Sequence, residues 1–292
     1  MITVFTPAYN RANLLPRLYN SLLQQSYQNF EWLIVDDGST DNTEQVVADF
    51  IKKSAHSFAI CYYKIANGGK HRAINYGVEK AKGECFFIVD SDDWLPSNSL
   101  EIINNYFDTI KDNDEFAGVA GLKQSDSPNS KERTFEGEYL DATSLERKKY
   151  GIIGEKAEVF KTSILKKYPF PQYPEEKFIS EAIVWNKIAH DGFKLRWFNA
   201  CVYYFEYQED GLSQNLFKRY NANPIGYLTY LKQEMQISRE SILKKYMFFG
   251  RALDIVKGST LNESEAKKLL GLNTIQTIFA KCIWSVYKLI KR

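Results

Sequence analysis

The chain has 292 residues, with 38 Lys and Arg against 36 Asp and Glu, a formal charge of +2, 44% hydrophobic and 25% charged residues. That composition excludes wholesale disorder and a fibrous chain, and a near-neutral balance gives no reason to expect nucleic acid as a partner. Cys61, Cys85, Cys201 and Cys282 stand far apart with no C-x-x-C pair, which argues against a disulfide framework or a zinc site and for a reducing compartment. No basic stretch precedes an apolar run at the start of the sequence, so no signal peptide is expected. No window approaches the roughly 18 uninterrupted apolar residues of a spanning helix. The expected localisation is cytoplasmic.

In chain order, Ile2–Thr6 is a β-rich run broken by Pro7-Ala8-Tyr9-Asn10, and Leu14, Leu15, Leu18 and Leu22 follow at helical spacing. Phe30–Val35 is a second strand, ending at Asp36-Asp37-Gly38-Ser39. Asp41 and Glu44 form a capping-box pattern ahead of Val46, Val47 and Phe50. Ile60–Ile65 reads as a third strand, Ala73–Ala81 as a helix, and Cys85–Val89 as a buried fourth strand that stops at Asp90-Ser91-Asp92-Asp93. This alternation predicts a parallel sheet with helices on both faces.

The rhythm then loosens. Gln124–Glu136 is polar and carries Pro128, and three prolines crowd the segment from Pro169 to Pro174. A helix is expected around Ile179–Ala189, then strands at Leu195–Phe198 and Val202–Tyr207. Beyond Gln214 the pattern is helical almost to the end, so a domain boundary is expected near residue 212, dividing the chain into 1–212 (halves 1–110 and 111–212) and 213–292.

Ligands of open α/β sheets bind outside the carboxyl ends of the strands. Three of the first four strands end in polar clusters, which converge on one rim if the sheet is parallel. Crowded aspartates repel unless a cation or a donor-rich ligand offsets them. There is no G-x-G-x-x-G after the first strand and no G-x-x-x-x-G-K-[ST], which counts against dinucleotide oxidoreductases and P-loop NTPases.

The sequence resembles the family 2 glycosyltransferases, which have the GT-A fold. The resemblance covers roughly residues 1–207 and rests on three motifs: Thr3-Val4-Phe5-Thr6-Pro7-Ala8-Tyr9-Asn10-Arg11, Glu31-Trp32-Leu33-Ile34-Val35-Asp36-Asp37-Gly38-Ser39-Thr40-Asp41, and Gly83-Glu84 running into Asp90-Ser91-Asp92-Asp93. It implies a Rossmann-like, mostly parallel sheet, to which the helical pattern beyond Gln214 adds a C-terminal extension, and transfer of a sugar from a nucleotide-diphosphate donor to an acceptor, with inversion and a divalent metal. Bacterial surface-polysaccharide assembly is expected by family analogy alone.

The chemistry fits that assignment. A departing diphosphate gains negative charge, and Mg²⁺ or Mn²⁺ held by carboxylates offsets it. Asp90 and Ser91 are expected on the donor's ribose side and Asp92 as metal ligand, with Asp93 the second choice. The alternative for Asp93 is a cap on the helix after Pro96. Asp37 resembles the family's aspartate that accepts from the nucleobase, with Thr6 and Pro7 supplying backbone contacts and Tyr9 an aromatic wall. Core packing is the competing reading of Tyr9, and turn fixation that of Asp36. Ile74 stands where the family carries an arginine before the asparagine, so Lys70, at a predicted helix start, takes the diphosphate contact unless it is only solvated. His71, in the same motif, is expected on the donor side.

On the acceptor side the family's general base corresponds to Glu181, in Ser180-Glu181-Ala182, where the second acid of an E-D pair is absent. Glu176, Asp191 and Glu158 are the other acids that would serve. Asp210 is a third candidate for the metal, and Glu155 and Glu158 are candidates to line the acceptor cleft, with surface salt-bridging as the alternative. The expected partners are a nucleotide-sugar donor and a glycan or lipid-linked acceptor. Residues 274–292 read as a basic amphipathic helix that either contacts the inner face of the cell membrane or packs on the protein. Two other functions stay open: a degenerate nucleotide-binding partner subunit, and a sugar-phosphate nucleotidyltransferase, which the missing glycine-rich loop disfavours.

Overall fold

The computed structural model describes residues 1–54, 57–125, 135–206, 216–237 and 241–290. Strands β1 (Ile2–Ala8), β2 (Phe30–Asp36), β3 (Ala59–Lys64) and β4 (Cys85–Ile88) alternate with helices α1 (Leu15–Leu23), α2 (Thr43–Lys53) and α3 (Lys70–Lys80). Helix α4 (Ser99–Asp108) leads to β5 (Phe116–Ser125), β6 (Tyr139–Ala142), β7 (Lys156–Lys161), α5 (Thr162–Lys167), α6 (Ala182–His190) and β8 (Lys194–Phe205). The eight strands form one sheet in the order β3-β2-β1-β4-β7-β5-β8-β6. Pairings β1–β2, β1–β4, β2–β3 and β5–β8 are parallel, whereas β7 runs antiparallel to β4 and β5, and β6 to β8. The sheet is mostly parallel, as expected.

Side-chain alternation along the strands assigns the helices to faces. Ile2 and Val4, Trp32 and Ile34, and Cys85 and Phe87 share one buried cluster with Leu18 of α1, Val47 of α2 and Ile103 of α4. The opposite parity faces the other way: Phe5 stacks on Phe86 with centroids 4.9 Å apart. Helix α3 crosses Phe5 so closely that a Cβ on Gly77 would lie 2.2 Å from its ring. Phe160, the register partner of Phe86, stacks on Trp185 of α6 at 4.3 Å.

Several local expectations are corrected. Helix α2 begins at Thr43 with no side-chain cap bond from Asn42. The capping box is not formed because Asp41 accepts the N–H groups of Ala12 and Thr43, and Glu44 pairs with Lys64. Helix α3 starts at Lys70, a turn earlier than the periodicity predicts, because Gly69 at φ 97° turns the chain directly into it. The two strands read at 195–207 are one strand, β8, whose pairing with β5 absorbs register shifts. Strands β5, β6 and β7 were not foreseen.

The chain divides into two compact units, Met1–Pro169 with Trp185–Glu209, and Phe170–Val184 with Asp210–Arg292. In the second, α7 (Leu216–Ala222), α8 (Pro224–Ile237), α9 (Ile242–Ile255), α10 (Glu263–Leu270) and α11 (Thr274–Ile290) follow one another. Leu228, Leu231, Leu253 and Leu270 are buried in its core. The proline-rich segment is tied to the start of α8: Asn223 Oδ1 accepts the N–H groups of Lys177 and Phe178, and the Glu176 carboxylate those of Ile225 and Gly226.

Candidate active site

Polar loops leave β1, β2 and β4 at their carboxyl ends, and side chains stitch them together. Asp36 is fully buried and accepts from Ser39 N–H at 2.6 Å and Tyr62 O–H at 2.6 Å, so it fixes the turn. Asn10, in the left-handed region at φ 53°, accepts from Thr40 N–H at 2.8 Å and donates its own N–H to Ser39 Oγ. The Thr6 side chain points into the core, where its Oγ1 accepts from Trp32 Nε1, so only its backbone is available at the rim. Pro7 is half-buried. Tyr9 is 46% exposed, which removes core packing as its role.

The Asp37 carboxylate is buried beneath the glycine loop of Asn67-Gly68-Gly69. It accepts from Gly68 N–H and Gly69 N–H at 2.7 Å each, and from Asn67 Nδ2 at 3.1 Å. Gly38 lies against the same loop: at φ 79°, a Cβ there would stand 2.9 Å from Asn67 N. The two turns therefore pack backbone to backbone, and this seats Lys70 at the first position of α3. Its ammonium lies 2.6 Å from Asp90 Oδ1.

Asp90, Ser91, Asp92 and Asp93 follow β4. Asp90 N–H donates to Tyr203 Oη at 3.0 Å, and the Tyr203 hydroxyl donates to Asp93 Oδ2 at 2.6 Å. Tyr203 is fully buried on β8, and Lys123 Nζ sits 4.1 Å from its ring centroid. Arg17 donates to the Asp92 carbonyl, pairs with Glu206 at 2.7 Å and lies 4.0 Å from the Trp94 ring centroid. Asp93 is not a helix cap, since Asn98 occupies that position on α4. Ser91 is buried.

Charge is unevenly settled in this turn. Burial opposes ionisation of Asp90, but Lys70 and Lys123 outweigh it and hold its carboxyl below the usual range. Burial and the Asp90 charge push Asp92 up, and the same two causes push Asp93 up to about 7. Carboxylates left under-neutralised in this way fit a hard divalent cation. Among the described residues no group of three or more His, Cys, Asp or Glu is arranged to hold a metal by itself. A cation here would therefore complete its shell with water or ligand oxygens.

His71, on the first turn of α3, is 2% exposed and has no hydrogen-bond partner on either ring nitrogen among the described residues. Burial, then the neighbouring Arg72 charge, hold it down at about 4, so the ring is neutral.

Glu158, on β7, is half-buried with Arg147 Nη1 3.7 Å away, and Glu155 is exposed. Asp191 accepts from the Tyr168 hydroxyl. In the second unit, Glu181 is half-buried immediately before α6, and Val184 N–H donates to its carbonyl. Glu176 is committed to the α8 N-terminus. Asp210 lies outside the described residues. Sequence reasoning missed Tyr203, Lys123 and Arg17. Tyr203 is 110 residues from the Asp93 it serves, and no local pattern signals it.

Comparison with known proteins places this rim in a family. A glycosyltransferase of Rickettsia typhi is 34% identical over 114 residues, 39% of this chain and 34% of that protein. The GalNAc(5)-diNAcBac-PP-undecaprenol β-1,3-glucosyltransferase of Campylobacter jejuni is 28% identical over 259 residues, 84% of this chain and 78% of that protein. The matched region thus spans about a third of the first relative and most of the second. The crystal structure of Staphylococcus aureus TarS 1–349 with UDP-GlcNAc aligns over 99% of this chain and 91% of its own, with TM-score 0.61 and 17% identity. The mannosyltransferase PcManGT of Pyrobaculum calidifontis, in complex with GDP-Man and Mn²⁺, aligns over 100% and 87%, with TM-score 0.55 and 18% identity. These structural likenesses show the GT-A fold. The family model for glycosyl transferase family 2 matches residues 3–168, and the chain belongs to that family of transferase enzymes.

Proposed function

We propose that the chain transfers a sugar, with inversion, from a nucleotide-diphosphate sugar (a UDP-sugar in the first instance) to a glycan or lipid-linked acceptor in bacterial surface-polysaccharide assembly. The observation that carries the reading is the aspartate cluster at the carboxyl end of β4, where Lys70 pairs with Asp90 and Asp92 and Asp93 are left under-neutralised. The UDP-GlcNAc in the TarS complex and the polyprenol-linked acceptor named for the Campylobacter relative support the donor and acceptor classes.

In this reading Asp37 accepts from the nucleobase while continuing to hold the glycine loop. The backbone of Thr6 and Pro7 and the exposed ring of Tyr9 border the base. Asp90 and Ser91 face the ribose, and Lys70 turns from Asp90 to the diphosphate. Asp92 and then Asp93 hold Mg²⁺ or Mn²⁺, which when bound offsets charge on the leaving diphosphate. Glu181 takes the acceptor hydroxyl proton, and Glu155 and Glu158 border the acceptor. Residues 1–212 are assigned as the catalytic part and 213–292 as a helical region. The proposed place of action is the cytoplasm, at the inner face of the cell membrane.

The test is thermal stabilisation by UDP with and without Mn²⁺. Selective ligand binding raises the melting temperature in proportion to RT ln(1 + [L]/Kd). Asp92→Asn is expected to lose the metal-dependent increment while keeping the parent's ligand-free melting temperature. An undiminished increment, together with unchanged sugar transfer, removes the metal assignment.

A further inference from the structure

Helix α11 is amphipathic with its apolar stripe turned outward. Gly250 of α9 meets the Ala280 carbonyl and Trp284 Cβ of α11, so tightly that any Cβ there would clash at 2.2 Å. Tyr246 touches Phe279, with ring centroids 5.0 Å apart, and Asp254 accepts from Trp284 Nε1 and Lys288 Nζ. These contacts advance together along both helices, so α9 and α11 run parallel, and α11 spends its Thr277, Ala280, Trp284 and Lys288 face on α9. The opposite side carries Ile275 and Ile278, then Cys282 and Val286, then Leu289 and Ile290, a stripe at helical spacing. It is open to solvent: Ile275 is 79% exposed, Ile278 58%, Leu289 71% and Ile290 78%. Ile242 and Leu243, at the matching end of α9, are 73% and 62% exposed. A row of this length is unusual on a surface that meets only water.

We propose that this stripe, with Ile242 and Leu243, docks on an anionic lipid bilayer, and the proposal does not depend on the transfer reaction. Charge selects the occupant. Residues 241–292 hold ten Lys and Arg against three Asp and Glu, a formal +7 in a chain whose total is +2. A second copy of the chain would bring like charge against like, whereas an anionic surface neutralises it. No single helix among the described residues is long and apolar enough to cross a membrane. Helices α10 and α11 pass that test only as a pair, and the pair is bent by 100°. The helix therefore lies in the interface, with its stripe toward the acyl chains and the basic residues around it near lipid phosphates.

The experiment is flotation of the full chain with vesicles of phosphatidylcholine alone or with a third phosphatidylglycerol, at low and high salt, beside sedimentation velocity without lipid. The parent is expected to float with the anionic vesicles, less so in high salt, and to sediment as the same species when diluted. The triple variant Ile275→Glu, Ile278→Glu, Leu289→Glu changes only solvent-facing positions, and its partition is expected to fall about tenfold or more. Should its melting temperature drop, the glutamine versions at the same positions replace it. Absence of flotation with anionic vesicles, equal flotation with neutral ones, or equal flotation of parent and variant would each overturn the proposal. A dimer that dissolves in the variant, with no vesicle binding, would assign the stripe to a second copy instead.

Discussion

Asp37 already accepts from two backbone N–H groups and one amide without any ligand. Asp37→Ala leaves the Gly68 and Gly69 donors unmatched, so unfolding free energy is expected to fall on the order of 1–3 kcal/mol in the ligand-free protein. Denaturant titration reads that loss, and nucleotide affinity is expected to fall with and without Mn²⁺. A loss of affinity confined to the metal-bound state would show that the carboxylate does not meet the base. Glu181→Gln keeps shape and hydrogen bonding but cannot accept a proton, so kcat is expected to drop on the order of a hundredfold with donor affinity unchanged. Transfer at the parent rate would move the base elsewhere. The aspartates of the rim were legible as residues because acids are costly to crowd. Tyr203 was not, since what makes it matter is a pair of hydrogen bonds made across the sheet.

At the scale of elements, β1 to β4 and α1 to α3 follow from apolar periodicity and from the polar residues that interrupt it. Their boundaries depend on contacts made elsewhere: Gly69 starts α3 early, and Asp41 is drawn away from its cap by Ala12. The antiparallel insertion of β7 between β4 and β5 was not legible, because Lys156-Ala157-Glu158-Val159-Phe160-Lys161 lacks the continuous apolar run of a central strand. Gly77 shows what the packing of α3 demands. Gly77→Ala drives a methyl into the Phe5 ring and is expected to cost about 1–3 kcal/mol by overpacking. A chemical denaturation midpoint equal to the parent's would mean that α3 moves away from the sheet at little cost.

Across the whole molecule, the grouping of Phe170–Val184 with the C-terminal helices joins segments that sequence order separates. Within that second unit Asp254 anchors α11, accepting from Lys288, Trp284 and Lys257. The bonds from Lys288 and Trp284 come first among the causes that hold its carboxyl well below the ordinary aspartate range. A depressed aspartate contributes its stability above its unfolded value of about 3.9 and loses it as pH falls from there toward the folded value. The α9–α11 pairing is therefore expected to be intact at neutral pH and to weaken below about pH 4. Asp254→Asn is expected to lower the melting temperature by a few degrees at pH 7 and to flatten this acid limb. An acid limb identical in parent and variant would exclude Asp254 as its source.

By itself the sequence determined the strand–helix alternation, the acidic ends of β2 and β4, and the amphipathic period of α11, since each depends on neighbours a few residues apart. It also carried the family, because three motifs in order and spacing are a local signal. Only the tertiary structure decided that Lys70 pairs with Asp90, that Tyr203 bridges Asp90 and Asp93, and that Glu176 caps α8. It also decided that the apolar stripe of α11 faces solvent rather than the core. These outcomes turn on burial and on hydrogen bonds between residues far apart in the chain, and periodicity, which says only that a face is apolar, does not say what covers it.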